Sequence, residues 1–291
     1  MFLLYSLLYS ITALILLPFE YLKRPKEVRR RWLGEKFGFF DLAVSSQQSA
    51  VSSQLRTTNS ELIWVHAVSM GEVISAVPFI KELASKHPSA GIILSTITDT
   101  GQKVARERLP GIAAVVYLPF DISLIFKKVL RRVRPDLFVA IETELWPNIF
   151  RTLERKGIPV VVVNGRISEG SFKGYNRIRC FMKDVLQGVD LFCMQDDIYA
   201  ERIKMLGADG DRVKVAGNFK FDALPPMNVP AWTALLNGPV IVAGSTHRTE
   251  EDLIIDVYQR LLHDFPDLNL IIAPRHPERF KEVEELMRKR G

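Results

Sequence analysis

Two polar turns near the end of the sequence have residue types suited to binding a phosphate. GSTHRTEE (244–251) leads into an amphipathic stretch, and APRHPERF (273–280) ends an apolar run. A helix N-terminus offers N–H groups and a positive dipole end, and a nearby cation adds to their effect on a developing negative charge. These turns are therefore predicted to hold the phosphate of a leaving nucleotide. The predicted donor-binding residues are Ser245, Thr246, His247, Arg275 and His276.

Three further motifs follow predicted strands, at the edge where parallel sheets bind their ligands. ETELWPN (142–148) contributes Glu142 and Glu144, and GNFKFD (217–222) contributes Asn218 and Lys220. A carboxylate at a buried strand end needs a partner, which marks either a binding site or a structural ion pair, and a site is favoured here. HAVSMGE (66–72) has two equally good interpretations, an anion-binding turn or a capped helix start.

A glutamate lies earlier in the chain, in the turn LGEKFGFF (33–40). Glu35 is flanked by Gly34 and Lys36 and followed by aromatic residues. An apolar environment raises the proton affinity of a carboxylate, which suits a general base. Glu35 is therefore a candidate base, although spacing alone does not establish this role.

The sequence gives little support for a metal or a redox cofactor. Its one Asp-x-Asp, Asp209-Gly210-Asp211, consists of residues typical of a turn. No Walker motif is present and no G-x-G-x-x-G follows a predicted strand, which argues against ATP hydrolysis and dinucleotide chemistry. Neither a metal nor a cofactor is expected.

Short β-branched runs alternate with amphipathic stretches from residue 62 onward, the rhythm of a parallel sheet covered by helices. In such sheets ligands bind beyond the carboxyl ends of the strands, where the motifs above lie. The segment 223–238 contains three prolines and interrupts the rhythm, so it is predicted to be a linker. Two βα units follow it, too few for a complete doubly wound domain.

The first 19 residues carry no charge and form an apolar run, with six Lys or Arg residues following between positions 23 and 31. As a helix rising ~1.5 Å per residue, the run is about 28 Å long, close to the ~30 Å of a hydrocarbon core. It lacks the features of a cleaved signal and is expected to remain as an anchor, with the rest of the chain in the cytoplasm. Ser6, Ser10, Thr12 and Pro18 leave open a helix that lies in the membrane interface.

Cys180 and Cys193 have no metal-ligand spacing and are expected to be reduced thiols. The net charge of +6 comes partly from the basic cluster, which suits phosphates, and the apolar run beside it favours a membrane over a nucleic acid. No nucleic-acid partner is expected.

Eight motifs in order resemble those of the 3-deoxy-D-manno-octulosonic acid (Kdo) transferases. They are RWLGEKFGF, HAVSMGE, STITDTG, ETELWPN, NGRIS with SFKGY, GNFKFD, GSTHRTEE and PRHPERF. The resemblance implies a GT-B fold of two Rossmann-like domains, CMP-Kdo as donor, a lipid A precursor (lipid IVA) as acceptor, inversion at the anomeric carbon and no metal. It implies that Glu35 is the base, that the residues of the two phosphate turns hold the donor, and that Glu142, Glu144, Asn218 and Lys220 line the cleft. It also implies lipopolysaccharide synthesis at the cytoplasmic side of the cell inner membrane.

The sequence departs from the family pattern in three ways. Thr249 and Gly165 stand where the family usually has glycine and alanine, and family members continue well past the PRHPER helix. The expected organisation is a membrane anchor at 1–22, an acceptor-binding domain at 23–222, a linker at 223–238 and the start of a CMP-Kdo-binding domain at 239–291. A chain of this length is expected not to catalyse transfer. The alternatives are a non-catalytic membrane-bound fragment and another GT-B enzyme that uses a UDP-sugar on a lipid acceptor.

Overall fold

The computed structural model describes residues 1–40, 61–222 and 229–290. It divides into two compact units, Met1–Ala223 and Leu224–Gly291, which are described separately below. The first unit joins the predicted anchor and the predicted acceptor-binding domain. Residues 223–228 of the predicted linker lie outside the described residues, and its remainder contains a short 3-10 turn at Ala231–Leu235.

Unit 1 is built around a seven-stranded sheet whose strands are all parallel. Its strands are β1 (Leu62–His66), β2 (Gly91–Thr96), β3 (Ala114–Tyr117), β4 (Leu137–Ile141), β5 (Val160–Gly165), β6 (Leu191–Met194) and β7 (Val213–Val215). The spatial order is β3-β2-β1-β4-β5-β6-β7, so the order reverses between β1 and β4. Ligands of doubly wound folds bind at this reversal.

Unit 1 begins with a pair of helices, and its other helices alternate with the strands of the sheet. They are α1 (Phe2–Lys23), α2 (Lys26–Lys36), α3 (Met70–Lys86), α4 (Asp99–Arg108), α5 (Ser123–Leu130), α6 (Pro147–Glu154), α7 (Glu169–Asn176), α8 (Arg179–Leu186) and α9 (Asp197–Met205). The strand and helix alternation predicted from residue 62 onward is confirmed. After β5, the segment NGRISEGSFKGY ends the strand and continues into α7.

The core lies on both faces of the sheet. Trp64 and Phe138 pack in one cluster, and their neighbours Val65 and Val139 pack in the other. Alternate residues of a strand point to opposite faces, so a strand buried on both sides is apolar along its whole length. This explains the continuous apolar runs of the sequence.

Unit 2 contains two parallel strands and two helices in its described part. They are β8 (Val240–Thr246), α10 (Glu250–Leu261), β9 (Asn269–Pro274) and α11 (Phe280–Arg290). Its buried apolar side chains are Ile255, Leu268 and Val283, whereas Val242 and Leu253 are each 67% exposed. Unit 2 therefore has a small core and an uncovered apolar surface.

Candidate functional site

The order reversal in the sheet of unit 1 brings the chain after β1 next to the chain after β4. The register pairs His66 with Ala140, so the two strands end at nearly the same level. Ser69 and Glu72 follow β1, and Glu142 and Glu144 follow β4. The two acidic residues predicted to line a cleft therefore lie at the position where such folds bind ligands.

Three carboxylates share this edge of the sheet. Burial, followed by the negative charges of Glu72 and Glu142, raises the pKa of Glu144 to about 7. Burial also raises the pKa of Glu72, with a smaller contribution from Glu142. Tyr175 of α7 lies close enough for the charge of Glu144 to raise its pKa, after burial as the main cause. A carboxyl group with a pKa near 7 exchanges its proton readily at neutral pH.

Glu142 has an uncommon backbone conformation. Its φ angle is 59°, in the left-handed region that residues with a side chain seldom adopt. Its carboxylate pairs with Arg166 at 3.4 Å, and the backbone N–H of Arg166 donates to the Thr143 hydroxyl at 2.8 Å. The ends of β4 and β5 are thus tied together, and the partner expected for Glu142 is Arg166.

The HAVSMGE turn is a capped helix start. The Ser69 hydroxyl caps α3 and donates to the Glu72 carboxylate at 2.9 Å, while the N–H of Val68 donates to the same carboxylate at 2.8 Å. This is a variant of the Ser-x-x-Glu capping box, in which Glu72 accepts from the N–H of the residue before the cap instead of from that of Ser69. Of the two interpretations left open by the sequence, the structure favours capping, because Glu72 occupies the N–H group of Val68.

A buried histidine lies beneath the carboxylates at the end of β1. His66 is fully buried, and Nδ1 lies 3.1 Å from the carbonyl oxygen of Ser95. Nδ1 also lies 3.0 Å from the Ser95 hydroxyl, which can donate or accept, so the carbonyl contact favours the tautomer with the proton on Nδ1. Burial lowers the pKa of His66 to about 3, so the ring is neutral. Its ring meets Trp146 edge to face at 6.0 Å.

The GNFKFD turn is attached to the ends of β5 and β6. The Asn218 side chain donates to Gln195 at 3.1 Å, and the Phe219 N–H donates to the side chain of Asn164 at 3.1 Å. Asn164 has a φ of 56° and is 2% exposed. Asn218 therefore lies at the ends of β5 and β6, on the carboxyl-end edge of the sheet where Glu142 and Glu144 follow β4. The backbone of Lys220 belongs to a 3-10 turn, but its side chain lies outside the described part of the structure.

Glu35 lies at the end of β3, an outer strand of the sheet, away from these groups. One carboxylate oxygen accepts from Arg31 and the other from the N–H of Tyr117, the last residue of β3, both at 2.6 Å. Burial raises the pKa of Glu35, and the Arg31 charge opposes this rise. With strands spaced ~4.8 Å apart, β3 lies roughly 14 Å from β4. Glu35 thus shares the carboxyl-end edge with Glu142 and Glu144 without being in contact with them.

Lys36 is a buried cation that the sequence did not single out as a site residue. It is 7% exposed, and its ammonium group lies over the ring of Phe120 at 5.3 Å. Burial, followed by the positive charge of Arg24, lowers the pKa of Lys36 to about 7. It also lies close enough to His66 to help keep that ring neutral. Lys36 therefore connects the surroundings of Glu35 with the end of β1.

In unit 2 the two predicted phosphate-binding turns lie side by side. β8 and β9 are adjacent, and the N–H of Arg275 donates to the carbonyl oxygen of Thr246 at 3.0 Å. The rings of His247 and His276 meet edge to face at 6.1 Å. Ser245, His247, Arg275 and His276 are all exposed. The exposed members of the predicted donor set therefore share one edge of this sheet.

Thr246 differs from the other predicted donor-binding residues because it is buried. Its hydroxyl donates to Glu251 at 2.9 Å, and Glu251 also accepts two hydrogen bonds from Arg279, at 2.9 and 3.2 Å. Glu251 is 1% exposed. This network fixes the start of α10 against the turn after β9. Sequence reasoning did not assign Glu251 or Arg279, although both lie within the motifs that it identified.

The N-terminus of α10 has acidic neighbours instead of a vacant anion site. Its first turn contains Glu250, Glu251 and Asp252, and the N–H of His247 donates to the Glu250 carboxylate at 2.7 Å. Thr249, at the cap position, has a φ of 79° and makes no side-chain cap. A phosphate at this edge would therefore be bound better by a cationic side chain than by the N–H groups of α10. Arg275, on the adjacent turn, is such a cation.

Within residues 1–40, 61–222 and 229–290, no group of three or more His, Cys, Asp or Glu side chains has the arrangement of a metal site.

Comparison with known families matches residues 31–223 to the N-terminal domain of the 3-deoxy-D-manno-octulosonic-acid transferases. A relative from Haemophilus influenzae named 3-deoxy-D-manno-octulosonic acid transferase is 30% identical over 266 residues, which cover 89% of this chain and 60% of that protein. A bifunctional glycosyltransferase/methyltransferase from Fusobacterium nucleatum is 33% identical over 268 residues, covering 89% of this chain and 40% of its own length. The chain thus spans between two fifths and three fifths of these relatives.

The chain also resembles solved structures at low sequence identity, and this similarity is informative about the fold only. The UDP-GlcNAc 2-epimerase from Neisseria meningitidis bound to UDP-GlcNAc has a TM-score of 0.53 at 14% identity, covering 79% of this chain and 69% of that one. The UDP-GlcNAc 2-epimerase from Methanocaldococcus jannaschii has a TM-score of 0.53 at 16% identity, covering 78% of this chain and 70% of the epimerase. The predicted α/β class with a parallel sheet, of the GT-B type, is confirmed.

Proposed function

Because the chain belongs to the 3-deoxy-D-manno-octulosonic-acid transferase family, we propose that its full-length form transfers Kdo from CMP-Kdo to a lipid A precursor in lipopolysaccharide synthesis. The acceptor would be bound by unit 1 and the nucleotide by unit 2. The reaction would take place at the cytoplasmic face of the cell inner membrane. The observation that supports this proposal best is the match over residues 31–223, joined to polar motifs that follow the strands at one edge of each sheet.

The proposed reaction is an inverting displacement. The acceptor hydroxyl attacks the anomeric carbon of Kdo from the side opposite the CMP phosphate, its proton passes to a base, and CMP leaves with the bonding electron pair. Arg275 and His276 would stabilise the negative charge that develops on the phosphate, because a cation beside the leaving group lowers the barrier of such a step. Ser245 and His247 belong to the adjacent turn. No metal enters the proposal.

Glu35 is proposed as the base. Burial raises its pKa, which increases its affinity for the acceptor proton, and the charge of Arg31 opposes this rise. Both of its oxygens accept hydrogen bonds from the protein, so proton uptake requires one of these bonds to be exchanged for the acceptor hydroxyl. Glu144, with a pKa raised to about 7 by burial and by Glu72 and Glu142, would bind the acceptor through hydrogen bonds.

The nucleotide distinguishes this proposal from its alternatives. The 291-residue chain should bind CMP, and a tenfold excess of UDP should not displace it, as measured by saturation-transfer NMR on the ribose and base protons. An Arg275→Ala variant should lose most of this binding, whereas Arg288→Ala, which removes a cation from the surface of α11, should keep it. Displacement by UDP would favour a UDP-sugar enzyme. No CMP binding at millimolar concentration would favour a non-catalytic fragment.

The role of Glu35 is tested in a chain extended to the length of its relatives. Glu35→Gln should leave CMP binding unchanged and lower the rate of Kdo transfer by a factor on the order of 10² or more. Glu169→Gln, which alters an exposed carboxylate on α7, is the matched control and should transfer at the normal rate. Near-normal transfer by the Glu35→Gln variant would contradict the assignment.

A further inference from the structure

Helix α1 is attached to unit 1 near its N-terminus. The Tyr5 hydroxyl donates to Asp121 at 2.7 Å, and the Ser6 hydroxyl donates to Asn148 at 2.9 Å. The ring of Phe2 meets Phe181 of α8 edge to face at 5.1 Å. The first two turns of α1 therefore dock on the region where α5, α6 and α8 meet.

The other end of α1 is attached to the same unit. Arg24, which follows the helix directly, is 8% exposed and donates to Asp99 at 2.6 Å and to the carbonyl oxygen of Ile97 at 3.2 Å. Ser6 and Arg24 are 18 residues apart, so the two attachments are separated by about 27 Å along the helix axis. A helix fixed to one domain at both ends lies along the surface of that domain. It cannot extend away from the domain along a membrane normal.

The opposite face of α1 is apolar and exposed along the whole helix. Its most exposed side chains are Leu3 at 87%, Leu14 at 72%, Phe19 at 69%, Leu22 at 64% and Ile15 at 61%. Leu124, the neighbour of Ser123 on α5, is 77% exposed. An uncovered apolar surface of this extent marks a contact with a membrane or a partner.

Exposed cations lie near both ends of this face. Their positions indicate whether the face contacts a membrane or a partner protein. Lys23 and Lys26 are exposed where α1 ends. Arg177, just before α8, and Arg179, its first residue, are exposed, and α8 is the helix that contacts Phe2. A helix that crosses a bilayer typically has its basic residues on one side, whereas a helix lying on an anionic surface has them at both ends. A second copy of this chain would place like charges against each other.

We propose that α1 lies flat in the headgroup region of an anionic bilayer, docked on unit 1, with its leucine-rich face in the outer acyl layer. By length and composition α1 could also cross a membrane, but crossing would break the contacts made by Tyr5, Ser6 and Arg24. The inference rests on the membrane attachment in the proposed function and is independent of the nucleotide or sugar. It fixes the carboxyl-end edge of the sheet close to the bilayer, since Asp99 and Asp121 both follow strands.

The depth of α1 tests the proposal. Single cysteines at Leu3, Leu7 and Leu14, in a Cys180→Ser/Cys193→Ala background, are labelled with bimane on vesicles of phosphatidylethanolamine and phosphatidylglycerol. Bromine at defined acyl positions then reports the depth of each label. A flat helix gives the three labels the same depth within a few ångströms. A crossing helix separates the labels at positions 3 and 14 by about 16 Å, since each residue rises ~1.5 Å, and that result would overturn the proposal.

Crosslinking tests the docked state on the same vesicles. The guanidinium group of Arg151 lies over the ring of Phe2 at 4.2 Å, so a Phe2→Cys/Arg151→Cys pair should join through a short bis-methanethiosulfonate reagent. Leu4→Cys/Arg151→Cys is the matched control, because Leu4 is 52% exposed on another side of the helix, and it should react poorly. Equal yields for the two pairs would mean that α1 leaves unit 1 in the bilayer and would overturn the docked arrangement.

The lipid partner is tested by vesicle composition. Vesicles that contain phosphatidylglycerol should bind the chain at least about tenfold more tightly than phosphatidylcholine vesicles, because each basic residue near an anionic surface strengthens binding. If the chain instead forms a dimer in solution and binds neither kind of vesicle, the apolar face of α1 contacts a second copy and the proposal is overturned. CMP binding, measured separately, is not affected by any of these outcomes.

Discussion

At the scale of single residues, the structure explains one of the departures from the family pattern. Gly165, where the family usually has alanine, ends β5 beside the buried side chain of Met194 on β6. A Cβ atom on Gly165 would lie 2.6 Å from the sulfur of Met194 and 3.0 Å from its terminal carbon. Gly165 does not have a positive φ. An alanine at this position would therefore require the end of the buried Met194 side chain to shift.

Gly165→Ala should lower the free energy of unfolding of unit 1 by about 1 to 2 kcal/mol, because it overpacks a close contact. In a Met194→Ala background, the same change should be neutral or stabilising, so a double-mutant cycle should give a coupling of about 1 kcal/mol or more. Gly170→Ala is the control, since nothing lies near its added methyl group and α7 should gain helix propensity. Equal effects of Gly165→Ala in both backgrounds would contradict the explanation.

The sequence indicated candidate site residues but could not predict their contacts. Glu142 was correctly expected to need a partner, and the strand order makes that partner Arg166, at the end of the next strand. The interpretation of HAVSMGE as a capping box was available from spacing alone. The burial of Lys36 was not, because it depends on α2 packing over β3 and on the position of Phe120, 84 residues away. Local patterns report local structure, and burial of a charge is a tertiary property.

At the scale of elements, the parallel strands concentrate negative charge. β1 and β4 end side by side, and the turns that follow them place Glu72, Glu142 and Glu144 together. The alternation of the sequence predicted both turns, but the proximity of their carboxylates depends on the order reversal. The second half of ETELWPN has a different role, since Pro147 begins α6 and the N–H of Ile149 donates to Asp121 at 2.7 Å. One motif thus contributes both to the candidate site and to the docking of α1.

The carboxylate cluster predicts a pH dependence of stability. Burial and the neighbouring charges raise the pKa of Glu144 from 4.5 to about 7, so between these values the folded chain holds a proton that the unfolded chain has released. The free energy of unfolding therefore falls as the pH rises through this range. Glu144→Gln removes the ionisation and should stabilise unit 1 at pH 8 by on the order of 1 to 2 kcal/mol, after allowance for partial exposure, with little effect at pH 4.5.

Urea unfolding at pH 4.5 and pH 8 measures this difference. The Glu169→Gln variant is the control, because its carboxylate forms an exposed pair with Lys173 and should change stability by less than about 0.5 kcal/mol at either pH. If the substitution Glu144→Gln changes the free energy of unfolding by the same amount at pH 4.5 and at pH 8, Glu144 does not titrate near neutrality in the folded chain.

At the scale of the whole molecule, the two units differ in how much apolar surface they bury. Unit 1 covers both faces of a seven-stranded sheet, whereas the described part of unit 2 has two strands on which Val240 is 39% and Val242 67% exposed. Parallel sheets are stable when both faces are covered. Ordering the backbone costs about 1 to 2 kcal/mol per residue at 25 °C, which a small core offsets poorly. The sequence anticipated this difference from the number of βα units.

Amide hydrogen exchange should therefore begin in unit 2. In the 291-residue chain, β8 and β9 should exchange well before β1 and β4, because a unit that opens more often exposes its amides more often.

Thr249 offers a way to test the cause, since its φ of 79° is unfavourable for a β-branched residue and makes opening easier. Thr249→Gly removes this strain and should slow exchange in β8 and α10 about fivefold, which corresponds to about 1 kcal/mol. Thr249→Ala keeps a Cβ atom in the same conformation and should slow it far less. Exchange in unit 1 should be the same in all three chains. Equal protection of β1 and β8 in the parent chain would show that unit 2 is as stable as unit 1 despite its small core.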